Sequence, residues 1–268
     1  MTQEEFKEMS IIDHINDLRK MLMHSIIAVF IAAVFVYMAK HLVFDKILFA
    51  PLDPDFAGYR FFCSISDALC VKNIPVKLIA RQLQGQFAVH IWTAIYGGII
   101  VAFPYILYEF WKFIAPGLYP QEKKYGIRFI IISSLLFFIG ILFGYFIVTP
   151  LVINFLGHHV ISEKVQNLVD IKSYISNVRT TILANGLVFE LPIIIYFLTK
   201  LGLVTAEFMR ENRKYAIVLI LVIAAIITPP DVFSQIIVSI PLIILYEVSI
   251  FIAKFVEKKL PEHLKPLE

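Results

Sequence analysis

The sequence predicts an all-α integral membrane protein, and three observations carry that prediction. Of 268 residues, 59% are hydrophobic and only 17% charged, with a mean hydropathy of +0.79, well above the usage of soluble domains. The apolar residues come in runs of about 20, the length that crosses a bilayer as a helix. Lys and Arg are shared unequally between the connections, as they are in multispanning proteins. The net charge of +3 is small and spread along the chain, so nothing points to nucleic acid as a partner.

Six transmembrane segments are expected, near 22–39, 87–108, 127–156, 171–199, 215–228 and 233–253, in a single membrane domain covering 1–268. The first is not a cleavable signal sequence, because about 20 polar and partly acidic residues precede it and its apolar core is longer than such a signal carries. Within residues 1–21, Phe6, Met9, Ile12, Ile15, Leu18 and Met21 recur every three positions, and Ser10 with Asp13 makes a capping-box-like start. That pattern predicts an amphipathic segment at the interface leading into span one.

Placing the N-terminus, the second and fourth connections and the C-terminus on one side gives that side fifteen Lys and Arg against eight. The positive-inside bias then puts both termini in the cytoplasm and the long loop 40–86 outside. That loop holds both cysteines, Cys63 and Cys70, in surroundings that permit a disulfide without requiring one.

Between spans five and six stands "ITPPDVFSQ", 227–235. Pro229 and Pro230 cannot continue a helix, and Asp231 with Ser234 can accept from the free N–H groups that begin the next one, so a tight external hairpin is expected. Span five, 215–228, is about 21 Å long against a hydrocarbon core of about 30 Å. Either the membrane thins or a partner covers the remainder, or Asn212 to Lys214 dip into the bilayer.

Several polar residues stand out, each with a plain reading beside a functional one. Asp17 lies on the polar side of the N-terminal segment beside Arg19 and Lys20, as a solvated surface carboxylate would. Glu122 follows the breakers Pro116, Gly117 and Pro120 and precedes Lys123 and Lys124, where local pairing would account for it. Glu190 lies deep within span four, ten residues from Lys200, and an ionisable group at that depth needs a polar neighbour or a proton. Arg179 shares nearly the same face but stands about 16 Å along the axis, too far to pair. Glu247, seven residues from Lys254, is expected to snorkel. Pro104, Pro150, Pro192 and Pro241 interrupt four spans and permit bends. Gly140 and Gly144 form a G-x-x-x-G pair that suits local packing as well as self-association. His158 and His159 read as surface residues at a helix end.

The blocks "HINDLRKML" (14–22), "FIAPGLYPQEKK" (113–124), "SSLLFFIGILFGYF" (133–146), "FELPI" (189–193) and "ITPPDVFSQIIVSIP" (227–241) resemble the TatC family, the multispanning receptor subunit of the twin-arginine protein translocase. They occur in family order from about residue 10 to 255, and the combination is specific where each block alone is weak. The resemblance implies a glove-like, concave six-helix bundle with short fifth and sixth helices, in the bacterial cytoplasmic membrane. It implies a receptor for twin-arginine signal peptides that assembles with the single-span subunits TatA and TatB and exports folded proteins, driven by the proton-motive force. By the same resemblance Glu122 matches the acid that contacts the twin arginines. Asp17 stands where the family usually has glutamate, also in signal-peptide recognition, and Glu190 and Gln235 match positions of partner-helix docking. A carboxylate accepts a guanidinium fork pairwise, a geometry lysine cannot match.

No nucleotide, zinc-protease, C-x-x-C or nucleophile-elbow motif is present in the sequence, so neither an enzyme nor a cofactor is expected. The alternative function is a proton-coupled small-solute transporter using Glu190, and a twin-arginine peptide against a small molecule as ligand discriminates the two.

Overall fold

The computed structural model describes residues 11–65, 73–117, 126–159, 162, 168–228 and 232–258. In chain order these form α1 (Ile11–Met38), α2 (Ala57–Ile65), β1 (Lys77–Ile79), α3 (Gly85–Ile114), α4 (Gly126–Phe143), α5 (Thr149–His158), β2 (Leu168–Asp170), α6 (Ile171–Val188), α7 (Leu191–Lys200), α8 (Ala206–Glu211), α9 (Arg213–Ile227) and α10 (Val232–Glu257). Five helical stretches among the described residues are long and apolar enough to cross a membrane: His14–Met38, Gly85–Ile114, Gly126–His158, Ile171–Lys200 and Ser234–Glu257. The segment expected as span five is α9, a helix of 15 residues, about 22 Å long.

Two compact units divide the chain. One comprises Met1–Met38 with Ala94–Ser134, the other Ala39–Thr93 with Leu135–Glu268.

In the first unit α1 and the second half of α3 lie close because α3 carries glycines where they meet. A Cβ on Gly98 would stand 2.8 Å from the backbone of Val29 and Ala33, and one on Gly97 2.7 Å from Val36. A side chain larger than hydrogen at Gly98 would press on the α1 backbone, which cannot turn away, while one at Gly97 would press on the Val36 side chain. The N-terminal amphipathic pattern and span one form one continuous helix from Ile11 onward. Helix α3 ends at Ile114, where a 3₁₀ turn over Ala115–Gly117 takes over, as the breakers Pro116 and Gly117 require.

The second unit holds the larger core: Val148, Phe189, Ile220, Ala224, Val238 and Leu242 are buried together with Tyr246 and Ile250. Helix α10 packs along α7 and pairs with α9. The expectation of short fifth and sixth helices holds for α9 alone, since α10 reaches 26 residues. It runs past Lys254 to Glu257, whose carboxylate accepts from the Ala206 N–H at 2.6 Å and so ties the end of α10 to the start of α8.

Span four breaks where a single helix was expected. Pro192 has no N–H, and its ring would strike the carbonyl of Val188, so α6 stops at Val188 and α7 begins at Leu191. Ahead of α6, Asp170 caps the helix by accepting from the Lys172 N–H at 2.8 Å. Strands β1 and β2, unforeseen in the sequence, pair in parallel with Lys77 opposite Leu168 and Ile79 opposite Asp170. Gly144–Val148 forms a π-helical turn between α4 and α5, and the Thr149 hydroxyl donates to the Gly144 carbonyl at 2.8 Å. Gly140 and Gly144 serve local packing: a Cβ on Gly140 would stand 2.6 Å from the Asn185 carbonyl oxygen of α6, and one on Gly144 3.1 Å from Asn185 Cβ.

Candidate functional site

The polar residues singled out in the sequence fall in both units, and each unit has its own geometry. In the first, Asp17 is half-exposed on α1, with Lys20 Nζ 3.5 Å from its Oδ1 one turn later. Arg19, its expected second neighbour, points into the open with Lys20. Three residues before Asp17, the His14 ring stacks on Phe113 of α3, centroids 4.5 Å apart. Two turns after it on the same face stands His24, about 10 Å along the axis.

His24 leads to a residue that sequence reasoning missed. Glu109 of α3 is 5% exposed, accepting from the Tyr105 hydroxyl at 2.9 Å and facing His24 Nδ1 at 3.4 Å. A carboxylate removed from solvent is tolerable only with such donors. Tyr105 at i−4 was the readable half of the signal; His24, 85 positions away, was not. Glu122 and the hairpin residues Pro229, Pro230 and Asp231 lie outside the described residues, as does Cys70. Cys63 is disulfide-bonded.

In the second unit Glu190 is buried, 7% exposed. It stands in the break between α6 and α7, where its carbonyl accepts from the N–H groups of Ile193 and Ile194 at 2.9 and 3.0 Å. The break therefore places it at the N-terminal end of α7 instead of mid-helix, an end whose dipole favours negative charge. Asn185 is fully buried a little over one turn earlier, its amide donating to the Thr181 carbonyl at 2.8 Å. Gln235 reaches from α10 to α9, donating from Nε2 to the Leu221 carbonyl at 3.0 Å. One turn on, the Ser239 hydroxyl donates to the Gln235 carbonyl at 2.6 Å. Gln235 thus fastens the α9–α10 pair by a side chain that sequence reasoning assigned only to partner contacts.

Glu247, expected to snorkel seven residues from Lys254, is about half-exposed and pairs with the similarly exposed Arg213 of α9 at 2.7 Å. His158 and His159 are exposed, as expected of surface residues. Among the described residues no group of three or more His, Cys, Asp or Glu is arranged to hold a metal ion.

The chain as a whole is similar to proteins of a known family. Residues 13–241 match the family described as Sec-independent protein translocase protein (TatC). The Sec-independent protein translocase protein TatC of Blattabacterium sp. subsp. Periplaneta americana (strain BPLAN) is 42% identical over 264 residues, 96% of this chain and 99% of that protein. The protein of the same name from Escherichia coli (strain K12) is 35% identical over 248 residues, 91% of this chain and 88% of that protein. A solved structure described as the twin arginine translocase receptor TatC is 38% identical, covers 91% of this chain and 99% of its own, and superposes with a TM-score of 0.71. A match across most of the chain, a multi-pass set of apolar helices and a fold shared at this identity lead to one conclusion: the chain is a multi-pass membrane protein and belongs to the TatC family of Sec-independent protein translocase proteins.

Proposed function

We propose that this protein is the signal-peptide receptor of a twin-arginine translocase, with Asp17 and Glu122 reading the paired arginines. The observation that supports it most directly is Asp17 itself, a half-exposed carboxylate on α1 beside the His14–Phe113 stack. A side chain so placed is free to exchange one weak lysine contact for the two donors of a guanidinium. Glu122 belongs to the block that begins at Phe113 and supplies the second acceptor in this reading.

In the same reading Glu190 and Gln235 dock the single-span subunits TatA and TatB. A membrane-buried carboxylate beside the N-terminal end of α7, next to a helix of 15 residues, offers polar partners where α9 falls short of the bilayer. Both termini face the cytoplasm, six segments cross the bacterial inner membrane, and folded precursors are moved by the proton-motive force without any catalytic step on this chain. The test is co-purification of the full-length protein with a tagged twin-arginine precursor and with its twin-lysine counterpart. Retention of the first and loss of the second is expected; equal retention overturns the assignment.

A further inference from the structure

Much of the surface of α1 is exposed apolar side chain, including Met23, Ile27, Phe30 and Phe35. Lipid solvates such groups as well as a neighbouring helix does, so apolar surface alone does not fix where α1 lies. Specific contacts with α3 do so at separate levels. Val29 and Ala33 meet Gly98, and Val36 meets Gly97; further along, His24 meets Glu109 and His14 stacks on Phe113.

Asp17 lies between the last two contacts. It stands three residues from His14, about 4.5 Å along the axis, and seven from His24, about 10 Å. The glycine contact is more distant, for Val29 is twelve residues from Asp17, about 18 Å. Were that contact the only pivot, a swing of about 10° would carry the start of α1 about 3 Å sideways at Asp17. That is the length of a whole hydrogen bond. The ring stack of His14 on Phe113 resists such a swing poorly, since stacked rings tolerate offset whereas hydrogen bonds are directional.

Glu109 supplies the direction. The Tyr105 hydroxyl donates to its Oε1 at 2.9 Å and His24 Nδ1 faces its Oε2 at 3.4 Å, so one carboxylate engages α3 with one oxygen and α1 with the other. At 5% exposed, it meets little water to compete for those bonds. We propose that Glu109 and His24 are positioning residues for signal-peptide recognition: their pairing fixes the angle of α1 against α3 and so holds Asp17 where an arginine of the peptide can reach it. This rests on the reading of Asp17 as an arginine acceptor. Two arginines on one peptide demand two acceptors at a set spacing, and a guanidinium fork loses its paired bonds when an acceptor shifts by about 1 Å.

The test uses the full chain in lipid nanodiscs, its two native cysteines replaced and nitroxide labels placed on cysteines at the exposed positions Arg19 and Lys112. Label-to-label distances are measured for each variant, and affinity for a twin-arginine peptide is measured without labels. Glu109→Gln, whose amide can accept from Tyr105 and donate to His24, should match the wild type in both. Glu109→Met should broaden the distance distribution and weaken binding as Asp17→Asn does, up to about tenfold. His24→Phe combined with Glu109→Met should do the same without leaving a buried charge unpaired. Adding Asp17→Asn to either apolar variant should cost nothing further, because residues that act through one another are not additive. Distances as narrow in both apolar variants as in the wild type overturn the positioning role, and so does full additivity with Asp17→Asn. Broadened distances with unchanged affinity overturn its connection to recognition. Unchanged affinity in Asp17→Asn alone instead removes Asp17 as an acceptor, and the distances then still decide whether the pair fixes α1.

Discussion

Lys20 Nζ stands 3.5 Å from Asp17 Oδ1, one turn along α1, with the lysine side chain 72% and the aspartate 42% exposed. An ion pair this open is worth less than about 1 kcal/mol and is screened by salt. It holds Asp17 only loosely, and an arriving arginine can displace it. Lys20→Gln should therefore strengthen twin-arginine peptide binding by a few-fold at most, about 1 kcal/mol. Asp17→Asn should weaken it partially, and Asp17→Glu should preserve or improve it. A titration at two salt concentrations checks all three; unchanged binding in Asp17→Asn removes this residue from the site.

Glu122→Gln should have the larger effect. One charge-assisted hydrogen bond, partly shielded, contributes about 1.5 to 3 kcal/mol, so its loss should weaken binding roughly ten- to a hundredfold. The same substitution should abolish most of the preference for Arg-Arg over Lys-Lys, because the amide keeps the size but loses the paired acceptor. A wild-type ratio of the two affinities in Glu122→Gln would show that another group reads the arginines.

Glu190→Ala should leave signal-peptide binding intact and weaken recruitment of the single-span subunits. The residue is buried in the second unit, while Asp17 belongs to the first, so the two measurements separate. Crosslinking to those subunits and export of a folded precursor are the readouts. If both survive unchanged, Glu190 has a structural role only.

Gly140→Ala should destabilise the protein more than Gly144→Ala. The first Cβ would press 2.6 Å from a backbone oxygen and 2.9 Å from the Gly186 Cα, neither of which can rotate away; the second would meet its neighbours at 3.1 to 3.3 Å. Overpacking of this kind costs about 1 to 3 kcal/mol at Gly140, measured by thermal unfolding in detergent. Equal effects, or a change only in oligomeric state, would favour self-association through this pair.

Single cysteines at Lys7 and Asp55, introduced where the two native cysteines have been removed, should differ in their reaction with an impermeant reagent added outside intact cells. Asp55→Cys should label and Lys7→Cys should not, since the positive-inside bias puts 40–86 outside. The reverse pattern inverts the topology.

Legibility followed the range of each interaction. Asp17 was readable together with its lysine because i and i+3 positions adjoin on any helix. Glu109 was passed over although Tyr105 lies at i−4, because its depth depends on α1 crossing α3 where Gly97 and Gly98 admit it. Glu247 was read only as a snorkelling side chain near the end of its span, because its partner Arg213 lies 34 positions away in a helix whose direction only the α9–α10 pairing fixes.

The amino-acid sequence by itself determined that the chain crosses a membrane, where most of its helices run, and which family signature they carry. Those properties rest on runs of apolar residues and on local stops, and transfer into hydrocarbon acts on each segment separately. Tertiary structure alone decided that Gln235 fastens α10 to the Leu221 carbonyl and that β1 pairs with β2 across some 90 residues. In a chain apolar on nearly every face, hydrophobicity does not choose which helices adjoin. Close approach at small residues and the satisfaction of a few buried polar groups make that choice, and both depend on positions far apart in the sequence.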